Sequence, residues 1–285
     1  MDPHIVEEAR VLIEEMSDEQ LNALALRLFQ HTAPVQPQLL DLSCARVGHI
    51  SIDDVVGFAK VGPGNFQPKV FDAAIWCMRQ VTFWLIQEML KRSLPVLIIG
   101  DCHPANKPEK KHVEHCLEKS GEELPVPELH QFLNHMLVKH MTKDAIDAYV
   151  DSLRRTGDDF DYIVKWVNHY KLTHVIVTGV AIDMCPGSLV LSMLSANNSG
   201  IMPTLEEVVV LDSGVATFNL SRDVAGKLGL PDTAIHDQAI MDHFAKKQLG
   251  DRGAVNASDL KLPGGGGPIL AQMPADLLKS LGFEP

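Results

Sequence analysis

Residues 173–198 read THVIVTGVAIDMCPGSLVLSMLSANN. The run 173–180 is short and rich in Val and Ile, as expected of a strand buried on both faces. The stretch 186–198 changes to helical periodicity. Pro186 suits the first helical position, because its missing N–H would have no intrahelical partner there anyway; this puts Cys185 at the N-cap. Three further runs share the strand pattern: VGHISID (47–53), LPVLIIGD (94–101) and EEVVVLD (206–212). Helical periodicity follows them at 70–92, 145–170 and 221–228. Buried strands alternating with helices predict βαβ units, an α/β fold and a mostly parallel sheet. Right-handed crossovers place helices on both faces, and ligands at the carboxyl ends of strands.

Residues 3–31 read as two helices, with Ser17 and Gln20 in the capping-box spacing that would start the second. Segment 1–37 is therefore expected to be an N-terminal helical extension, 44–260 the α/β domain, and 261–285 a Gly-rich connector (Gly264–Gly267) with a short helix from about Pro274. The tail is expected to be loosely held or docked on the body. The helical hairpin offers surface to a homo-oligomer interface.

The composition excludes several classes. The chain has 285 residues, 46% hydrophobic, with 25 Lys and Arg against 37 Asp and Glu, a formal charge of −12. Disorder is not expected, and a non-specific nucleic-acid binder would carry the opposite sign. No apolar run approaches the length of a membrane span, and MDPHIVEEAR lacks the apolar core of a secretory signal. Five cysteines, an odd number without short-range pairing, suit a reducing, cytoplasmic setting.

Three strand ends carry the chemistry. The first has Asp53–Asp54 followed by VVGFAKVGPGNF. Its glycines at 57, 62 and 64 do not form the G-x-G-x-x-G pattern that a dinucleotide site needs. The second has Asp101, Cys102 and His103, with His112 and His115 beyond. Asp101 and His103, two apart in extended chain, point to one side, and His115 would complete a set of donors suited to a divalent ion. The third has Asp183 and Cys185. At a helix N-terminus, free N–H groups and the macrodipole favour a thiolate and can hold an oxyanion. Lys143, by itself, reads as a solvated lysine at a helix start.

Taken in order, D-D-V-V-G-F-A-K-V-G-P-G-N-F (53–66), D-C-H-P to E-H-C (101–116), K-D-A-I-D-A-Y (143–149), G-V-A-I-D-M-C (179–185) and V-V-V-L-D-S-G-V-A-T-F (208–218) resemble the isochorismatase-like cysteine hydrolases, and among them the plant-type nicotinamidases. The resemblance covers roughly residues 46–257 and implies a Rossmann-like three-layer fold. It implies a catalytic Asp53, Lys143 and Cys185, an oxyanion hole at the N–H groups of Ala181 and Cys185, and a non-proline cis peptide between Val180 and Ala181. It also implies a metal on Asp101, His103 and His115, with zinc first and iron or manganese sharing such ligands. Phe58 and Tyr149 are expected to wall a flat substrate.

The activity so implied is hydrolysis of nicotinamide to nicotinate and ammonia through a cysteine thioester, as in NAD salvage. Asp53 would exchange protons with the thiol and the leaving ammonia, Lys143 would lower the thiol pKa, and the metal would anchor the pyridine nitrogen. The chain departs from the pattern at Cys102, at Val113–Glu114, at Lys119–Ser120 and at Ile182. These changes touch the walls of the site rather than its reactive groups. An amidase for another small amide or carbamoyl compound is therefore the neighbouring reading, and a non-catalytic binding relative the more distant one.

Overall fold

The computed structural model of the chain describes residues 11–13, 15–17, 19–21, 23–24, 27–28, 35–107, 112–220, 226–227 and 236–283. Among them, seven strands form one parallel sheet: β1 (Gln38–Asp41), β2 (Val47–Ile52), β3 (Val96–Asp101), β4 (Val138–Lys143), β5 (His174–Val180), β6 (Glu207–Ala216) and β7 (Val255–Lys261). Their spatial order is β1-β7-β6-β5-β2-β3-β4. The helices are α1 (Val56–Ala59), α2 (Ala73–Lys91), α3 (Ala148–Arg154), α4 (Tyr162–His169), α5 (Cys185–Asn198), α6 (Gln238–Asp251) and α7 (Ala275–Ser280).

Successive strand residues point to opposite faces, and here both sets are apolar. Val96 and Ile98 of β3, Ile176 of β5, and Val209 and Leu211 of β6 join a core built on α2 residues Ile75, Met78, Leu85 and Met89. Their neighbours Leu97, Ile99, Val175, Val177, Val208 and Val210 join a second core with residues of α3, α4, α5 and α6. One face is thus covered by α2 and the other by four helices, giving the three-layer α/β architecture. Two buried cores account for the uninterrupted apolar runs of the central strands.

The segment 145–170 is not one helix. It splits into α3 and α4 around Gly157, whose φ of +64° and that of Asp161 at +53° turn the chain. α6 was not anticipated, and neither were β1, β4 and β7. Asp72, Asp147 and Asp237 cap α2, α3 and α6 by accepting from backbone N–H groups, each interaction worth about 1 kcal/mol. Ser17 N–H donates to Gln20 at 2.9 Å and Gln20 N–H to the Ser17 hydroxyl at 3.3 Å, forming the expected capping box. Residues 11–13, 15, 19–21, 23–24 and 27–28 are helical; the remainder of the two helices expected at 3–31, and most of the helix expected at 221–228, lie outside the described residues.

The C-terminal segment docks on the body. Trp84 Nε1 of α2 donates to the Ile269 carbonyl at 2.8 Å, and Ile269, Leu270 and Met273 are buried in the α2-side core.

The topology positions the site. From β2 the chain runs outward through β3 to β4, then returns to β5 on the other side of β2 and continues outward to β6 and β7. β2 and β5 therefore flank the switch point, where the crossovers diverge and leave a crevice above the carboxyl ends. Asp53 follows β2, and the Ala181–Cys185 loop follows β5.

Candidate active site

Five strand-end segments meet in this crevice. Asp53 leaves β2 with φ +59°, a left-handed conformation that Asp tolerates better than most residues. Asp101 and Lys143 end β3 and β4 and are register partners across that pair. Cys185 opens α5; the N-cap is Met184 and Cys185 the first helical residue, one position inside the expected cap. Gly179 of β5 permits the close approach of β2, because a Cβ there, at φ +128°, would lie 1.8 Å from the Ile52 carbonyl oxygen. The Val180–Ala181 peptide is cis, as the resemblance implied.

Lys143 is fully buried and central. Its Nζ lies 2.9 Å from Asp53 Oδ2, 2.9 Å from Asp101 Oδ1 and 3.6 Å from Cys185 Sγ. A buried lysine would normally lose its proton. Here burial pulls its pKa down, but Asp53, Cys185 and Asp101 together hold it well above its usual range. The reading of Lys143 as a solvated helix-start residue is therefore overturned: it ends a strand, and pairing across the sheet encloses it.

Burial pushes Asp53 up to about 6, against the pull of Lys143. Burial likewise pushes the Cys185 thiol well above its ordinary range; Lys143 pulls it down, while Asp53 and Asp101 push it further up. Asp53 and the thiol flank the same Lys143 ammonium, at 2.9 and 3.6 Å, and a raised carboxylate beside a raised thiol is a pair between which a proton can move. Among the described residues, the N–H groups of Ala181 and Cys185 donate to no other backbone carbonyl, and both residues line the cleft.

Asp101, His103 and His115 place their donor atoms within 4.8 Å of one another. His115 Nδ1 lies 2.7 Å from the Val113 carbonyl, which only accepts, so neutral His115 carries its proton there and presents a lone pair at Nε2. That nitrogen stands 3.2 Å from Asp101 Oδ2, and His103 Nε2 stands 2.8 Å from the same oxygen. Asp101 Oδ2 and His103 Nε2 are buried without a hydrogen bond. Buried acceptors converging in this way fit a divalent cation. Burial would raise the Asp101 pKa, but Lys143 and the two imidazoles hold the carboxyl far below its usual range.

Both groups open on one cleft of about 410 Å³, including space open to solvent. Phe58, Phe66 and Phe218 form its aromatic wall. Phe66 stacks on Phe218 at 6.0 Å and meets His115 edge-on at 4.7 Å, and Ile146 and Met184 add apolar surface. Phe58, expected to wall the substrate, lines this cleft. Tyr149, expected beside it, does not: it sits in the first turn of α3 and belongs to the core cluster with Ile50 and Ile99, outside the cleft lining. The Lys143-to-Tyr149 spacing carries the tyrosine past the strand end into the helix layer. Phe66 and Phe218 stand in the motifs quoted above, as the aromatic residues closing each one. Cys102 faces away, lining a separate polar cleft with Asp144, Asp151, Arg154 and Arg155.

A parallel sheet with a thiol, a buried carboxylate and a buried ammonium gathered at its switch point has the three-layer fold of the isochorismatase-like hydrolases. No family model matches the chain. Nicotinamidase 1 of Arabidopsis thaliana is 31% identical to it over 208 residues, 73% of this chain and 84% of that protein. Among solved structures, the pyrazinamidase/nicotinamidase from Streptococcus mutans matches with a TM-score of 0.52 at 19% identity, covering 74% of this chain and 99% of that one. A nicotinamidase from Bacillus subtilis matches with a TM-score of 0.51 at 18% identity, covering 75% and 100%. The two solved structures speak for the fold and the plant relative for the family. The chain belongs to the nicotinamidase family of isochorismatase-like hydrolases.

Proposed function

We propose that this protein is a nicotinamidase, hydrolysing nicotinamide to nicotinate and ammonia. The observation that carries the reading is Lys143 held between Asp53, Asp101 and Cys185 in a cleft with an aromatic wall. Asp53 takes the proton of Cys185 as the sulfur attacks the amide carbon. The N–H groups of Ala181 and Cys185 receive the developing oxyanion. Lys143 keeps the pair of carboxylates compensated throughout. As the tetrahedral adduct collapses, Asp53 passes its proton to the departing amine, which leaves as ammonia. Water then attacks the thioester, giving a proton to Asp53. Collapse releases the acid, and the proton returns to the sulfur.

Phe58, Phe66 and Phe218 offer apolar faces to a flat ring. Asp101, His103 and His115 would hold a divalent ion, zinc by its preference for nitrogen and oxygen donors, with iron and manganese sharing the ligand set. When bound, such an ion supplies a positive anchor for a ring nitrogen. The five free cysteines are consistent with a reducing, cytoplasmic setting. Among the described residues, no helix is long and apolar enough to cross a membrane.

The test is ammonia release by the purified protein from nicotinamide, pyrazinamide and an aliphatic amide, with Cys185→Ala as control. Nicotinamide turnover that the substitution lowers at least a thousandfold is expected. No release above the control would overturn the reading, and a preference for the aliphatic amide would move it to another amidase.

A further inference from the structure

The loop that delivers Cys185 runs Val180-Ala181-Ile182-Asp183-Met184-Cys185-Pro186-Gly187. Asp183 is its sole charged side chain and is pinned from outside the cleft. The Thr217 hydroxyl donates to Asp183 Oδ1 in a short hydrogen bond. With its proton committed, that hydroxyl can only accept from His236 Nε2, 3.0 Å away. His236 Nε2 also lies 3.3 Å from Asp183 Oδ2. A carboxylate and a committed hydroxyl both demand a donor, so His236 carries a proton at Nε2.

Thr217 is held from its other side as well. Gln238 Nε2 donates to the Thr217 carbonyl at 2.6 Å and to both oxygens of Asp72 at 3.1 and 3.2 Å. Asp72 caps α2. A hydrogen-bonded chain therefore runs from α2, through the segment leading into α6, to the end of β6 and the Cys185 loop. The loop's own backbone adds Ile182 N–H to the Ala216 carbonyl and Met184 N–H to the Ala181 carbonyl. Phe218, the next residue after Thr217, lines the cleft, and its ring lies 6.4 Å from that of His236.

We infer that His236 is a positioning residue for the nucleophile, acting through Thr217 and Asp183 to fix Cys185 and the N–H of Ala181. His236 does not line the cleft. Its loss should therefore spare substrate binding and misplace the attacking sulfur and the oxyanion donors. A displacement of about 1 Å in such groups costs on the order of a hundredfold in rate. The inference rests on the reading of Cys185 as the nucleophile.

His236→Ala and Thr217→Val are expected to lower kcat ten- to a hundredfold with KM within threefold of the parent. Their double substitution should cost little more than either alone, since both break one tether. His236→Gln, which keeps an N–H donor near the Nε2 position, and Thr217→Ser, which keeps the hydroxyl, should recover activity to within threefold of the parent. Alkylation of Cys185 by iodoacetamide, followed on the Cys185 peptide by mass spectrometry, should change at least fivefold in His236→Ala and return in His236→Gln. Alkylation tests the tether even if the parent protein releases no ammonia from nicotinamide, a result that would sink the functional reading alone. Unchanged kcat and alkylation in both removals overturns the inference. So does equal loss in His236→Ala and His236→Gln accompanied by a lowered unfolding temperature, since that is the signature of a merely structural residue. Should His236→Ala fail to fold, the Thr217→Val and Thr217→Ser pair decides on the same criteria.

Discussion

At the scale of single residues, two adjacent carboxylates behave differently for reasons of partnership. Asp53 is raised to about 6 by burial, with Lys143 2.9 Å away limiting the rise. In the proposed reaction it must be ionised to accept the thiol proton. The rate constant kcat/KM should therefore fall about tenfold per pH unit below pH 6, and a pH–rate profile flat down to pH 4.5 would remove Asp53 from the role of base. Asp54 is equally buried and, like Asp53, has no hydrogen-bond partner on either side-chain oxygen. Burial raises it from 3.8 to about 7, with Arg79 pulling down more weakly. Between those two values the folded protein binds a proton that the unfolded chain has released, so Asp54 makes stability fall as pH rises from about 4 to 7, by at most about 4 kcal/mol. Asp54→Asn should consequently raise stability at pH 8 and leave it nearly unchanged at pH 4. Urea unfolding at both pH values checks this, and equal effects at the two would contradict it.

At the scale of elements, the β2–β5 pair sets the precision of the site. Gly179 lets the strands approach immediately before the loop that carries Ala181 and Cys185. A side chain there meets the Ile52 carbonyl and must take a positive φ as well. Gly179→Ala should destabilise the fold by more than about 3 kcal/mol, a cost expected when overpacking and a strained φ combine. It should also lower activity in whatever fraction folds. Thermal unfolding and a nicotinamide assay measure the two effects, and a parent-like unfolding temperature would show that the strands can separate without cost. α5 presents Cys185, the proposed nucleophile, at its first turn. Burial and two carboxylates raise its thiol while Lys143 lowers it, and Asp53 stands beside it as the proposed base.

At the scale of the whole molecule, the Asp101, His103 and His115 set ties the end of β3 to the loop bearing His115. A ligand that binds the folded state alone stabilises it by mass action, about 4 kcal/mol at a thousand times its dissociation constant. Adding zinc to metal-stripped protein should raise the unfolding temperature by several degrees, and His103→Ala should abolish the shift. An unchanged transition on zinc addition would speak against this ligand set. The docked C-terminal segment extends the α2-side core, and β1 extends the sheet at the edge beyond β7. Neither the residues of β1 nor Trp84 and Ile269 line the cleft.

The central strands were legible because burial on both faces leaves Val- and Ile-rich runs that no other environment requires; Val96–Ile99 and Val208–Leu211 carry their own assignment. β4 and β7 were not, since their half-exposed residues, as in VKHMTK and VNASDLK, lack that pattern. α6 was hidden in the same way, with few of its residues buried. Asp53, the metal-type donors and Cys185 could be singled out because strand ends are where ligands bind. Lys143 needed the resemblance, and Tyr149 was misplaced even with it. Periodicity is a local property, written over a few residues. The enclosure of Lys143 between Asp53 and Asp101, the turn of Tyr149 into the helix layer, the arrival of Phe66 and Phe218 beside His115, and the clasp of Thr217 and His236 on Asp183 depend on strand order and register. Those are settled by packing between segments tens of residues apart.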